Sequence, residues 1–163
     1  MMSKFYTAAL LLMALTFARP TTSVAQATSK YKCLIQMTNY MGEGAYIVIS
    51  LIDSKGAYEK TLYVLGSDKK WYKTLKEWNA FYAKKTTNIS AITGASVTGG
   101  DRSVNVIEIE NSKINSGYKI RFESAVEDKK YNVKDLEIPL TTETLSAKND
   151  GTGYIRYVRF SAN

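Results

Sequence analysis

The 163-residue chain contains no histidine. This removes the usual general base near neutral pH and the commonest metal ligand together. Ser-His and Cys-His nucleophile arrangements are excluded with it. Cysteine is almost as scarce, with Cys33 alone, so no intrachain disulfide, zinc cluster or C-x-x-C redox pair can form. Tyr31-Lys32 precede it where a lipoprotein signal needs small apolar residues. Within the strand-like stretch YKCLIQMTNY it reads as a buried small hydrophobe. Prolines number two. No repeat, low-complexity tract or Pro/Gly-rich linker divides the sequence. Bases exceed acids, for a net charge of +7 at pH 7. The lysines are scattered, and the doublets Lys69-Lys70 and Lys84-Lys85 flank an aromatic segment, so no nucleic-acid footprint is present.

What is present begins with a leader. Lys4 precedes an apolar run from Phe5 to Ala18, followed by Pro20 and the small-residue ending Ala25-Gln26-Ala27. This is the order of a secretory signal peptide. The run falls short of the roughly 20 residues that a comfortable membrane span requires. Residues 1–27 are therefore expected to be removed. Residues 28–163 are expected to form one β-sandwich domain, periplasmic or secreted, with no transmembrane segment after cleavage.

Periodicity over this remainder is that of strands. Apolar or alternating runs occur at 31–40, 45–53, 58–66, 103–111, 118–126, 131–140 and 153–162. The sequences Asp53-Ser54-Lys55-Gly56 and Asn115-Ser116-Gly117 supply turn chemistry between neighbouring runs. Tyr118, Ile120, Phe122 and Val126 should share one face. Pro139 cannot donate to a ladder and should sit at an edge or a strand end. In KKWYKTLKEWNAFYAKK the apolar positions Trp71, Leu75, Trp78 and Phe81 or Tyr82 recur at steps of three and four, which predicts an amphipathic helix packed on a sheet. The expected fold is mainly β: an immunoglobulin-like antiparallel β-sandwich of about seven strands with one amphipathic helix.

Carboxylates at Glu108, Glu110, Glu123, Glu127 and Asp128 read as a solvated face, since nothing pairs them with a nucleophile. The segment from Lys84 to Arg102 is long for a connector in a domain of this size, which directs attention to it. It contains SAITGASVTGG, rich in hydroxyls and glycines and free of charge. As plain turn chemistry, Gly94, Gly99 and Gly100 would relieve unusual backbone angles, and the hydroxyls would cap local amides.

Two resemblances bear on function. The order YIVISLIDSKGAYEKTLYVLG, then Lys70-Trp71, then Thr93-Gly94-Ala95-Ser96, then GYIRYVRF resembles the family of predicted periplasmic proteins known as domain of unknown function 2271. That resemblance covers nearly all of residues 28–163 and implies an extracytoplasmic sandwich. In addition, Thr93-Gly94-Ala95-Ser96 is similar to the signature at which FMN transferases attach flavin covalently: Asp, two variable residues, Ser/Thr, Gly, Ala, then the acceptor Thr or Ser. The resemblance implies Ser96 as the acceptor, with Thr93, Gly94 and Ala95 as the recognised neighbours. Where that signature has Asp, this chain has Ser90. The implied function is an exported non-enzymatic carrier of covalent FMN, or an accessory in extracytoplasmic electron transfer or iron acquisition. Its partners would be an FMN transferase and a membrane redox protein. The alternative is an immunoglobulin-like binding or structural module with no cofactor.

Overall fold

Residues 27–163 are described by the computed structural model. The expected leader therefore lies, except for Ala27, outside the described residues. The seven sequence-predicted strands all form: β1 (Thr28–Met37), β2 (Tyr46–Ile52), β3 (Tyr58–Leu65), β5 (Arg102–Glu110), β6 (Lys119–Ala125), β7 (Tyr131–Pro139) and β9 (Ile155–Ala162). Two short additions, β4 (Thr93–Gly94) and β8 (Lys148–Asp150), bring the described residues to nine strands. They make a sandwich of two sheets. One is four-stranded in the order β5-β1-β9-β8, and the other is five-stranded in the order β4-β3-β2-β6-β7. Every pairing is antiparallel except β3 with β4.

Period-two alternation builds the core between the sheets. Ile47, Ile49 and Leu51 of β2 point into it beside Cys33 and Ile35 of β1, Ile107 and Ile109 of β5, and Val158 of β9. Ile120, Phe122 and Val126 are buried there with Tyr118 packed against them, as the alternation predicts. Each such aliphatic or aromatic side chain contributes about 1.5–3 kcal/mol relative to exposure. Cys33 is fully buried and its thiol is pushed up by that burial, so it is inert packing. Pro139 ends β7, an edge strand, where its missing N–H costs least. At the β2–β3 turn the Asp53 carboxylate accepts from the N–H groups of Lys55 (2.9 Å) and Ala57 (2.8 Å), and Gly56 takes a φ of +87°.

The aromatic segment packs on the outer face of the five-stranded sheet, but not as one helix. A 3-10 turn over Lys69–Thr74 hands over at Leu75, whose ψ of 68° is not helical, to helix α1 (Lys76–Lys84). A tighter turn of three residues changes which side chains align. Tyr72, Leu75 and Trp78, three apart, are buried against Val48, Val64 and Ala125, while Trp71 is only half-buried. A second short helix, α2 (Thr142–Ser146), closes the β7–β8 connection through a Thr141/Thr144 capping box.

Beneath α1 lies a departure from the expected solvated carboxylates. Glu123 of β6 is fully buried. It accepts hydrogen bonds from the Tyr58 and Tyr131 hydroxyls and, at 3.3 Å, from the Trp78 backbone N–H. Arg121 lies 5.0 Å from the Tyr58 ring centre and bonds Glu137 at 2.6 Å. Burial raises the Glu123 carboxyl above its ordinary range, opposed by its hydroxyl and amide donors and by Arg121. The reason is geometric: Glu123 does alternate away from the core, but the face it reaches is roofed by the helix.

Candidate functional site

From the end of α1 the chain crosses to β5 through the hydroxyl-rich segment, which is stitched down at almost every step. Asn88 Oδ1 accepts from the Ser90 N–H at 3.0 Å and from the Ser90 hydroxyl. A 3-10 turn follows over Ser90–Ile92. The Thr93 hydroxyl donates to the Ile89 carbonyl at 2.7 Å. Thr93–Gly94 then adds to β3 as β4, opposite Val64 and Leu65, and the Gly66 N–H reaches the Gly94 carbonyl at 2.8 Å. Three residues on, Val97 is buried and exchanges two backbone bonds with Ala45 (2.8 and 3.1 Å), while the Tyr40 hydroxyl donates to the Val97 carbonyl at 2.6 Å.

Between these anchors Ala95 and Ser96 are exposed. Among the described residues the Ser96 hydroxyl has no hydrogen-bond partner, so a fixed backbone presents an uncommitted Oγ. The neighbouring chain is shaped around it. A Cβ at Gly44 would stand 2.5 Å from Ser96 Oγ, too close to be accommodated without movement. Gly94 is less constrained, a Cβ there meeting the Tyr63 hydroxyl at 3.0 Å.

Two recesses open on Ser96. One, of about 170 Å³, is lined by Glu43, Gly44, Tyr46, Trp71, Thr74 and Glu127. The other, of about 260 Å³, lies toward the start of β5 and includes Thr98, Asp101, Arg102 and Ser103. Tyr46 and Trp71 thus line one recess together with two carboxylates, and Arg102 lines the other beside Asp101.

The four residues singled out in the sequence are contiguous here but unequal. Ser96 is free, Ala95 is a small exposed neighbour, Gly94 is strand backbone, and the Thr93 hydroxyl is committed. Ser90 sits a turn away, its hydroxyl on Asn88. Of the glycines expected to take unusual angles, only Gly100 has a positive φ (+83°). Gly99 is required instead by close approach, since a Cβ there would meet the Tyr40 carbonyl oxygen at 2.1 Å. The sequence reading did not include Gly44, Tyr46 or Trp71 as neighbours of Ser96. The Gly42-Glu43-Gly44 triplet was the available signal, marking a backbone kept bare for a close approach.

A family model described as "Predicted periplasmic protein (DUF2271)" matches residues 28–157. The chain belongs to this family of predicted periplasmic proteins. Its location is accordingly extracytoplasmic, in agreement with the leader expected at the N-terminus. No curated protein and no solved structure matches it. Among the described residues of this DUF2271 chain, no helix is long and apolar enough to cross a membrane.

Proposed function

We propose that this chain is a carrier to which FMN is attached through Ser96, serving extracytoplasmic electron transfer with an FMN transferase and a membrane redox protein as partners. The observation that carries the reading is the free, exposed Ser96 hydroxyl held between two backbone anchors. An acceptor needs little more: an accessible oxygen, and small neighbours over which a transferase can close. Ala95 and Gly94 provide them on the same segment, and Gly44 provides clearance across from it. The residues present therefore fit the group.

In the attachment, Ser96 Oγ attacks the riboflavin-side phosphorus of FAD. The new O–P bond forms as the pyrophosphate bond breaks, AMP leaves with the electron pair, and the hydroxyl proton passes to a base on the transferase. Activation belongs to the transferase, so a chain without histidine suffices, and we read it as an acceptor rather than an enzyme. When bound, the flavin supplies one- and two-electron redox chemistry. Tyr46 and Trp71 line a recess beside the anchor in which a bound flavin would find aromatic neighbours.

A second reading, a binding or structural module without cofactor, draws on the structural duties of Thr93, Gly94 and Gly99. Co-expression with an FMN transferase separates the two. The carrier reading expects a fluorescent flavin band that survives denaturation, is abolished by Ser96→Ala, is weakened by Thr93→Ala and is strengthened by Ser90→Asp. Absence of the band, while a known acceptor is labelled in the same cells, favours the module. Iron acquisition is the other setting in which such a carrier would serve.

A further inference from the structure

The edges of the two sheets are not treated alike. Strands at sheet edges offer unpaired backbone groups to other chains, and proteins commonly shorten, bend or interrupt them. Here β4 has two residues and β8 three. The third edge, β7, has a register shift against β6 between Phe122 and Ser124 and ends in proline. Only β5, nine residues long, is a regular edge strand with no such device.

Its exposed backbone groups can be assigned. The Asn111 N–H bonds the Ala27 carbonyl and the Met37 N–H bonds the Asp101 carbonyl, each at 2.9 Å. In an antiparallel ladder bonded pairs recur every second residue. The odd-numbered residues of β5 are therefore joined to β1, and the N–H and C=O groups of Arg102, Val104, Val106 and Glu108 point away from the sheet. The side chains of these four are exposed on the outer face. Val104 (55% exposed) and Val106 (41%) are two of the three exposed large hydrophobic residues among those described. Arg102 makes no ion pair among the described residues. A groove of about 400 Å³ beside the strand, bordered by Lys60, Leu62, Ile92, Val106 and Glu108, leaves room along this edge.

We propose that β5 is a self-association edge, to which a second copy of this chain adds antiparallel about a two-fold axis at Asn105. In that register Arg102 faces the partner's Glu108, Val104 faces the partner's Val106, and the same pairs repeat on the other side of the axis. The outward backbone groups match as bonded pairs at all four positions. Shifting the axis by one residue either way, the smallest step that keeps the bonded pairing, puts Val104 opposite the partner's Glu108 or Arg102 opposite the partner's Val106. Only the centred register keeps both valines opposite valines and sets cation against anion; each shifted register puts a valine opposite a charge. Joining the two four-stranded sheets gives a continuous eight-stranded sheet closed by symmetry, with Leu34, opposite Val104 on β1, extending the apolar strip.

The test is sedimentation equilibrium of the exported chain over a concentration series. The wild-type protein is expected to reach dimer mass. Val106→Pro removes only an outward N–H, leaves the β1 ladder intact, and should give monomer with an unchanged circular dichroism spectrum. Arg102→Glu and Glu108→Arg should each weaken the dimer by about tenfold or more, and the combined exchange should restore it. A wild-type chain that stays monomeric at every concentration overturns the proposal. So does a dimer that survives Val106→Pro, or a combined exchange no tighter than either single variant.

Discussion

The two outer faces of the sandwich are built from the same alternation and end in opposite states. On the five-stranded sheet, Val48, Val64 and Glu123 point outward and are roofed by the 3-10 turn and α1, which turns that face into a second core. On the four-stranded sheet, Lys32, Leu34, Val104, Val106 and Arg159 point outward and no helix covers them. Three of the four arginines among the described residues, Arg102, Arg156 and Arg159, are exposed on strands of this uncovered sheet. A strand's period tells which residues share a face. Whether that face meets solvent depends on what else the chain lays over it.

The comparison predicts its largest contrast at Trp78. Its ring is fully buried, is stacked 5.1 Å from Tyr82, and donates to the Thr61 hydroxyl at 2.9 Å. Trp78→Ala should cost about 3–5 kcal/mol in denaturant unfolding. Val104→Ala on the uncovered face should stay within about 0.5 kcal/mol when measured on monomer. Equal losses at the two positions would break the distinction between the faces.

Next in size is the buried carboxylate. Tyr131→Phe removes one hydroxyl donor from Glu123 and should cost about 1.5–3 kcal/mol. The pH dependence has a definite sign. Burial sets the folded carboxyl above its ordinary 4.5, so the stability it contributes is complete below that value and is lost as pH rises through the folded pKa. As pH rises above 4.5, the wild type should therefore lose stability relative to Glu123→Gln. Parallel curves for the two proteins would mean that the roof over Glu123 admits water.

Trp71→Ala sharpens the account within the aromatic segment itself. Half-buried, with Lys70 Nζ 5.1 Å from its ring centre, Trp71 should cost about 1 kcal/mol, well below Trp78. The smallest effect belongs to Ser96→Ala, whose free hydroxyl leaves nothing unpaired when removed. Its unfolding free energy should match wild type within about 0.5 kcal/mol.

These contrasts mark how far the sequence could be read. Seven strands were legible because each repeats its period over seven residues or more, and Pro139 fell at the edge that its missing N–H requires. The pairs and triplets of β4 and β8 are too short to carry a period; pairing across space creates them. The aromatic stripe was legible as a buried surface but not in its phase. Trp71 to Leu75 spans four residues, as α geometry needs, whereas the 3-10 turn places Tyr72 three before Leu75 and turns Trp71 outward. Glu123 looked solvated because alternation gives a face and not its cover. At the candidate site, Thr93 to Ser96 was legible as a motif. The clearance at Gly44 and the walls from Tyr46 and Trp71 come from other parts of the chain, and only the fold brings them to the hydroxyl.

Ser96 lies on the segment that joins β4 of the roofed sheet to β5, and its role is the central claim. The most direct test is peptide mapping by mass spectrometry of the chain after co-expression with an FMN transferase. The account predicts one FMN-phosphoryl unit on the peptide that contains Ser96, with fragment ions that assign it to that residue. An unmodified Ser96 peptide, recovered from cells in which a known acceptor is fully labelled, would contradict it.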